Sequence, residues 1–559
     1  MFLRTTSRKN TDGSTVTYYQ LAHNERDPET GVPVARIIHN FGRADQVDRE
    51  ALVRLCRSIA RICAVEVRDP MAERQGSLPF ADDVLVPGAV QGLTRPLGVP
   101  VVVEHFWEKL HVGARLRELE RKSRTRIPLE RALLLMVMNR ICEPASKMGA
   151  WTEWRTKVHA PSFWDVKLDH LYEAMDFLYE HAEEVEREVF HATADLFNLD
   201  VDVVFFDTTT VSFMIDEADG EEEGALRVFG QPKEGGWAPQ VVVALAVTRE
   251  GVPVRSWVFP GNKNDVTTVE RVKADLKGWK LGRAIFVADA GVNSEENRSV
   301  LSKGCGKYIL AMRAGSVAEV KKDVLARAGR YKAVTENLHV KEVVVGDGER
   351  RRRYVVCYNP EQAKREALHR EEVLRELAER LAEHKDHGAE AKWVAELRAS
   401  RRFGRYLAVD AHGRVVVDRK AVAEAPKLDG KWVVITNDDT LTTEDVATSY
   451  KALLVIERCF RTLKRTELMM QPVYHRLAAR IEAHVKICVL ALSLERSAEL
   501  TAGRSWPHLR RALDELQATE YRLGGDRFFR RNEVSQAAST ALRALKIQPP
   551  KQILDIQRA

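Results

Sequence analysis

Between Val201 and Met312, apolar runs and helical periods follow one another in a fixed order, and that order limits the fold more than any other feature of the chain. VDVVFFDTTTVSF, APQVVVALAV and VPVRSWVFPG read as strands, and the short TREG between the last two predicts three adjacent antiparallel strands. The pattern VTTVERVKADLKGW then reads as a helix. It leads to a buried strand, AIFVAD, a second helix, SEENRSVLSKG, with Ser294 placed as N-cap, and a further strand, YILAM.

Three strands, a helix, a strand, a helix and a strand is the order of a ribonuclease-H-like α/β core. The predicted architecture is therefore α/β, with such a core interrupted by a β-rich insertion and preceded by a mostly helical N-terminal region. The expected divisions are an N-terminal hairpin plus helix (1–100), a helical domain able to bind DNA (101–200), the first part of the core (201–313), the insertion with a long charged helix (314–430), the second part of the core (431–500) and a C-terminal helical tail (501–559). Within the insertion, LHVKEVVV and RRRYVVCY flank an Asp347-Gly348 turn and read as a hairpin of a separate β-rich body. KWVVITN resumes the core.

Two acids end apolar strands. Asp207 follows VVFF and precedes three threonines; Asp289 follows AIFVA and precedes Ala290-Gly291. The carboxyl ends of strands in open α/β sheets are where ligands bind, although either aspartate alone could simply open an Asx turn. A third acid, Glu457, lies in YKALLVIERCFRTLK. On one continuous helix at about 100° per residue, Tyr450, Arg461 and Lys464 fall within about 40° of Glu457, and Ala452, Ile456, Cys459 and Leu463 form an apolar stripe opposite. Two strand-end aspartates and a glutamate on a later helix suit a pair of Mg²⁺ ions, with Mn²⁺ able to substitute, about 4 Å apart as in-line phosphoryl displacement requires. The cations Arg458, Arg461 and Lys464, with the Tyr450 hydroxyl, are then placed to hold DNA phosphates.

The bulk numbers agree with that chemistry without demanding it. There are 87 Lys and Arg against 81 Asp and Glu, a formal charge of +6, and the pI is near 8.8; such a balance tolerates polyanions. Seven cysteines without C-x-x-C spacing predict a reducing cytosol and no structural zinc. MFLRTTSRKN has no apolar signal region and no stretch is long and apolar enough for a membrane span, so a cytoplasmic, nucleoid-associated location without membrane contact is expected. The run Arg350–Arg353 could follow a DNA backbone, and the leucines of HREEVLRELAERLAEH could mediate contacts between copies.

VPVARIIHNFGR, EPASKMGAW, VVFFDTTTVSF, VADAGVNSEENRSVL and above all YKALLVIERCFRTLKRTELMMQPVYHRLAARIEAHVKICVLAL carry a resemblance. The chain resembles the DDE transposases of bacterial insertion sequences, in the branch with a Tyr-Arg-Glu-Lys signature and a β-insertion before the glutamate. The resemblance implies Asp207, Asp289 and Glu457 as catalytic acids and metal ligands, Tyr450 as the signature tyrosine and Lys464 as its lysine. Position 453, where the signature has arginine, is Leu453, which leaves Arg458 or Arg461 to supply that phosphate contact. The implied reaction hydrolyses a phosphodiester at a transposon end and joins the freed 3′-hydroxyl to target DNA, on double-stranded DNA, in a homodimer that holds two ends in a synaptic complex. The alternatives are a ribonuclease-H-like nuclease without strand transfer and a catalytically inert DNA-binding derivative.

Overall fold

The computed structural model describes residues 2–9, 15–26, 33–43, 90–123, 125–214, 218–219, 224–233, 235–313, 320–384, 388, 391–523 and 526–557. The chain divides into two units, Met1–Pro87 and Gly88–Ala559. In the first, β1 (Phe2–Lys9), β2 (Thr15–Arg26) and β3 (Pro33–Arg43) form an antiparallel sheet in that order. The sequence reading had only the β2–β3 hairpin. FLRTTSRK lacks an apolar alternation of its own, and it becomes a strand by pairing along β2 from Phe2–Ala22 to Lys9–Thr15. The helix expected after β3 lies outside the described residues.

The second unit opens with β4 (Val90–Pro96) and the helices α1 (Gly98–Lys109), α2 (Val112–Lys122), α3 (Leu129–Cys142) and α4 (Leu168–Phe197). Strands β5 (Val203–Ser212), β6 (Val228–Gly230), β7 (Ala238–Val247) and β8 (Pro253–Pro260) follow, then α5 (Val269–Gly278), β9 (Ile285–Ala288), α6 (Glu295–Ser302) and β10 (Tyr308–Met312). Strand β5 lies between antiparallel β7 and parallel β9; β8 pairs antiparallel with β7, and β10 runs parallel to β9. The core order β8-β7-β5-β9-β10 is that of a ribonuclease-H-like sheet, as expected from the element order.

Alternation along these strands divides the interior in two. Val203, Phe205, Val211, Val241, Val243 and Leu245 point to a face packed by helices of the 98–197 segment. Val204, Phe206, Val242, Ala244 and Ala246 point to the other, packed by Val269, Val272 and Leu276 of α5 and Leu301 of α6. The N-terminal helices thus share one continuous core with the sheet. Helix α3 is buried almost all round, which leaves it no face to enter a DNA groove.

Beyond β10 the sheet continues. β11 (Lys332–Thr335), β12 (Leu338–Val345) and β13 (Arg352–Tyr358) extend it through β16 (Lys431–Thr436), which runs antiparallel to both β13 and β10. The inserted hairpin is therefore an extension of the core sheet and not a separate β-rich body. Only α7 (Pro360–Glu383), α8 (Lys392–Ala399) and the pair β14 (Leu407–Val409) and β15 (Val415–Val417) build a small core of their own, around Val373, Leu377, Phe403 and Tyr406. Leu374 and Leu381 pack against that core, so the leucine stripe expected to join copies is occupied within the chain. Three of the four arginines of the run are paired with acids: Arg351 with Asp439 at 2.8 Å, Arg352 with Glu295 at 2.7 Å, and Arg353 with Glu342 at 2.9 Å.

After β16 come α9 (Thr443–Lys451), α10 (Leu454–Arg461) and the 25-residue α11 (Ala478–Ala502). No helix among the described residues is long and apolar enough to cross a membrane. Lys486 on α11 is buried with Glu186 of α4 at 2.9 Å and the Ser256 carbonyl of β8 at 2.6 Å, and Ser256 donates from both its backbone N–H and its hydroxyl to the same glutamate. A buried charge persists only when paired and hydrogen-bonded in this way, and the network locks α4, α11 and the sheet into one register. The C-terminal segment is not the helical tail expected. Besides α12 (Trp506–Leu513) and α13 (Gln536–Ala544), it holds β17 (Gln517–Leu523), β18 (Asp526–Arg531) and β19 (Ile553–Gln557), which complete a sheet with β4. QATEYRL and DRFFRR are rich in charge, and the strand that pairs with the first of them lies more than 400 residues away, so local pattern could not find them.

Candidate active site

The parallel pairing of β5 with β9 ends at Phe206–Ala288, which brings Asp207 and Asp289 side by side at the next position. Asp289 follows the end of β9, but Asp207 does not end its strand as expected, because β5 stays paired with β7 as far as Ser212. Asp207 shares the parity of Phe205, and Asp289 that of Val287. Both carboxylates therefore leave the sheet on the face that carries α10, whose Ile456 and Cys459 are buried there together with Leu463. Cys459 approaches the Gly251 carbonyl at 3.6 Å, and Gly251, at φ +77°, has no room for a side chain beside Val455.

The continuous helix assumed for Tyr450–Lys464 is broken. Helix α9 ends at Lys451, α10 begins at Leu454, and Thr462–Thr466 form a wider π turn, so one helical wheel cannot place all four residues. Leu453 sits in the break and is buried in the core, where its apolar side chain suits the packing. Tyr450 donates its hydroxyl to Asp289 Oδ1 at 3.0 Å. Burial, then the neighbouring carboxylate of Asp289 and the more weakly felt charge of Glu457, raise the tyrosine pKa. The tyrosine expected to contact phosphate instead holds an aspartate. Lys464 is also not a free cation: only 8% exposed, it donates to the Thr210 carbonyl at 2.7 Å and faces the Thr209 hydroxyl at 3.3 Å, because the π turn rotates it onto β5. Glu457, Arg458 and Arg461 are exposed on α10.

Two residues that sequence reasoning missed complete the surroundings of Asp207. Asp265 accepts the Thr208 hydroxyl at 2.6 Å and lies against Gly291, where any Cβ would come within 3.0 Å of its carboxylate. Lys233 reaches the Thr208 carbonyl and stands 3.6 Å from Asp207. Their only sequence signal is polarity in the loops after β8 and β6. Burial pushes the Asp207 carboxyl up to about 6, helped by Asp265 and Asp289 and opposed by Lys233 and the Thr208 N–H. A half-buried carboxylate that feels two more acids is a site where a hard divalent cation would relieve repulsion, and oxygen donors suit Mg²⁺ or Mn²⁺. Among the described residues, no three acids, histidines or cysteines stand at metal-ligand spacing. The fit therefore rests on the Asp207–Asp289 pair.

The model of the transposase DDE domain matches residues 199–494, 296 of the 559 residues, and that of the N-terminal domain of IS1634 family transposases matches residues 3–69. The chain belongs to the insertion-sequence DDE transposases. The first match spans Asp207, Asp289 and Glu457, so this transposase carries these acids inside the domain that defines the family, an enzyme class that cuts and moves DNA. No curated protein matches it. Among solved structures, a cryo-EM structure of the piggyBac transposase synaptic complex with hairpin DNA superposes with a TM-score of 0.34 at 8% identity, over 81% of this chain and 82% of that one. At that similarity the fold assignment of this transposase rests on its own strand order.

Proposed function

We propose that this transposase cleaves transposon-end DNA and joins the resulting 3′-hydroxyl to target DNA at Asp207, Asp289 and Glu457. The observation that supports the reading is the emergence of Asp207 and Asp289 from adjacent parallel strands onto the face against which α10, the helix of Glu457, packs its apolar side. Asp207 and Asp289 would hold divalent cations, Mg²⁺ or Mn²⁺, with Glu457 as the third ligand once the Tyr450 hydroxyl yields. Bound there, two such ions supply Lewis acidity to the attacking and leaving oxygens of in-line displacement.

The remaining steps fall to the chain. Tyr450 orients Asp289, Lys464 fixes the backbone of β5 at Thr210, and the hydrogen bond from Thr208 to Asp265 ties that strand to the loop after β8. Arg458 and Arg461, exposed on α10, take DNA phosphates, which makes them the replacement for the signature arginine absent at Leu453. Lys233, near Asp207, neutralises a phosphate as the strand enters. The protein acts as a homodimer, one site for each transposon end, on nucleoid DNA in the bacterial cytoplasm.

The test uses the purified protein, a plasmid carrying the DNA that flanks the gene on both sides, and Mg²⁺. Joined products that disappear with Asp207→Asn are expected. Cleavage without joining would replace the reading with a nuclease, and neither product would leave a DNA-binding derivative.

A further inference from the structure

The segments EPASKMGAW and PVYH meet in a place the proposed reaction does not use. A cavity of about 720 Å³ is lined by Arg140 of α3, Lys147, Tyr172 of α4, Tyr474, His475 and Arg476, among others. Arg140 and Lys147 are 4% and 5% exposed, yet among the described residues no carboxylate pairs with either. Lys147 Nζ meets only His484 Nδ1, at 3.0 Å, and His484 Nε2 faces the Met470 carbonyl at 3.0 Å. Arg140 donates to the carbonyls of Met469, at 2.9 Å, and Ala145, but its Nε has no partner. Asp176, the acid whose charge reaches His475 of the lining, is taken by Arg480 at 2.7 and 2.9 Å.

Two cations buried together without a counter-charge are costly unless an anion completes them. Burial, with Arg140 second, holds the Lys147 ammonium down to about 7, and burial pushes His475 down to about 3. At the mouth, Tyr474 is 66% exposed and Arg476 is exposed, the pairing of an open aromatic face with a cation that suits a nucleic-acid strand. The cavity is tied to the sheet by the bridge between Val473 and Phe213. Phe213 lies six positions beyond Asp207, about 20 Å along an extended strand, so this place is separate from the carboxylates.

We infer that this cavity is a second phosphate site, in which Lys147, Arg140 and Arg476 receive a backbone phosphate of the DNA strand several nucleotides from the scissile bond while Tyr474 stacks on a neighbouring base. The inference rests on the transposase reading for its ligand, but the anion site stands on its own geometry. The test uses full-length protein, with inorganic phosphate as one probe and a DNA duplex as the other. Phosphate should raise the melting temperature of the wild type and of Asp207→Asn but not of Lys147→Met, a variant that removes an unpaired buried charge and should fold. With duplex DNA, Lys147→Met and Arg476→Ala should each weaken binding several-fold and lower the slope of log K against log salt by about one. Folded Lys147→Met and Arg476→Ala proteins that match the wild type with both probes would overturn the site. A phosphate response confined to the wild type and Asp207→Asn, without any DNA binding, would keep the site and sink the transposase reading instead.

Discussion

At the scale of the residue, burial divides the cations and acids that the sequence placed on one face. Asp207 and Glu457 stand out in the sequence because each marks a change of pattern, the end of an apolar run and an amphipathic helix, although the strand itself continues past Asp207 to Ser212. The roles of Tyr450 and Lys464 were not, because a two-residue break and a π turn rotate them inward, and neither leaves a periodic trace. The two kinds of cation should separate experimentally. Arg461→Ala should lower the salt slope of DNA binding by about one, whereas Lys464→Met should leave that slope unchanged and cut the cleavage rate at least tenfold, since Lys464 holds Thr210 and faces Thr209. Asp207 gives a second test in chelator. Its folded pKa, near 6, exceeds the unfolded value of about 4, so its contribution is most favourable at low pH and is lost as pH rises through 6. Asp207→Asn should accordingly raise the stability of the metal-free protein at pH 7.5 by about 1–3 kcal/mol, read by denaturant unfolding, while abolishing cleavage.

Secondary-structure elements were legible where they were buried on both faces. Strands β5, β7 and β9 are nearly continuous apolar runs, and the order of strands and helices around them fixed the sheet. The failures share a cause: β1, β17 and β18 are polar, so pairing with a partner, remote for β17, makes them strands. The assignment of β12 and β13 to a separate body failed because a hairpin's sequence records its turn and not the strand its outer edge will meet. One lock between elements is the buried Lys486–Glu186–Ser256 network. Lys486→Met strands the Glu186 carboxylate and should cost about 3–5 kcal/mol. The double variant Lys486→Met, Glu186→Leu should recover most of that loss, which a double-mutant cycle would measure.

For the whole molecule, one sheet crosses from the antiparallel strands through the site and into the inserted hairpin, and a single core joins its first face to the helices of 98–197. Motion of the insertion strands would therefore be transmitted through β16 and β10 to β9, which carries Asp289 at its end. The four-stranded sheet closes the chain on itself: Glu520, buried between Arg95, Arg522 and Arg527, accepts from all three and is held down to about 2 by them against its burial. Its stabilisation is present above the ordinary glutamate range and fades as pH falls toward 2. Glu520→Gln should therefore lower the melting temperature at pH 7 and narrow the difference from wild type near pH 2.

The central claim is that Asp207, Asp289 and Glu457 grip common divalent cations. With Fe²⁺ in place of Mg²⁺, and ascorbate and peroxide added, hydroxyl radicals cut a backbone close to the metal. Cuts at all three segments, competed by Mg²⁺ and absent from Asp207→Asn, are the result expected; cuts near 207 and 289 with none near 457, or none at all, would contradict it.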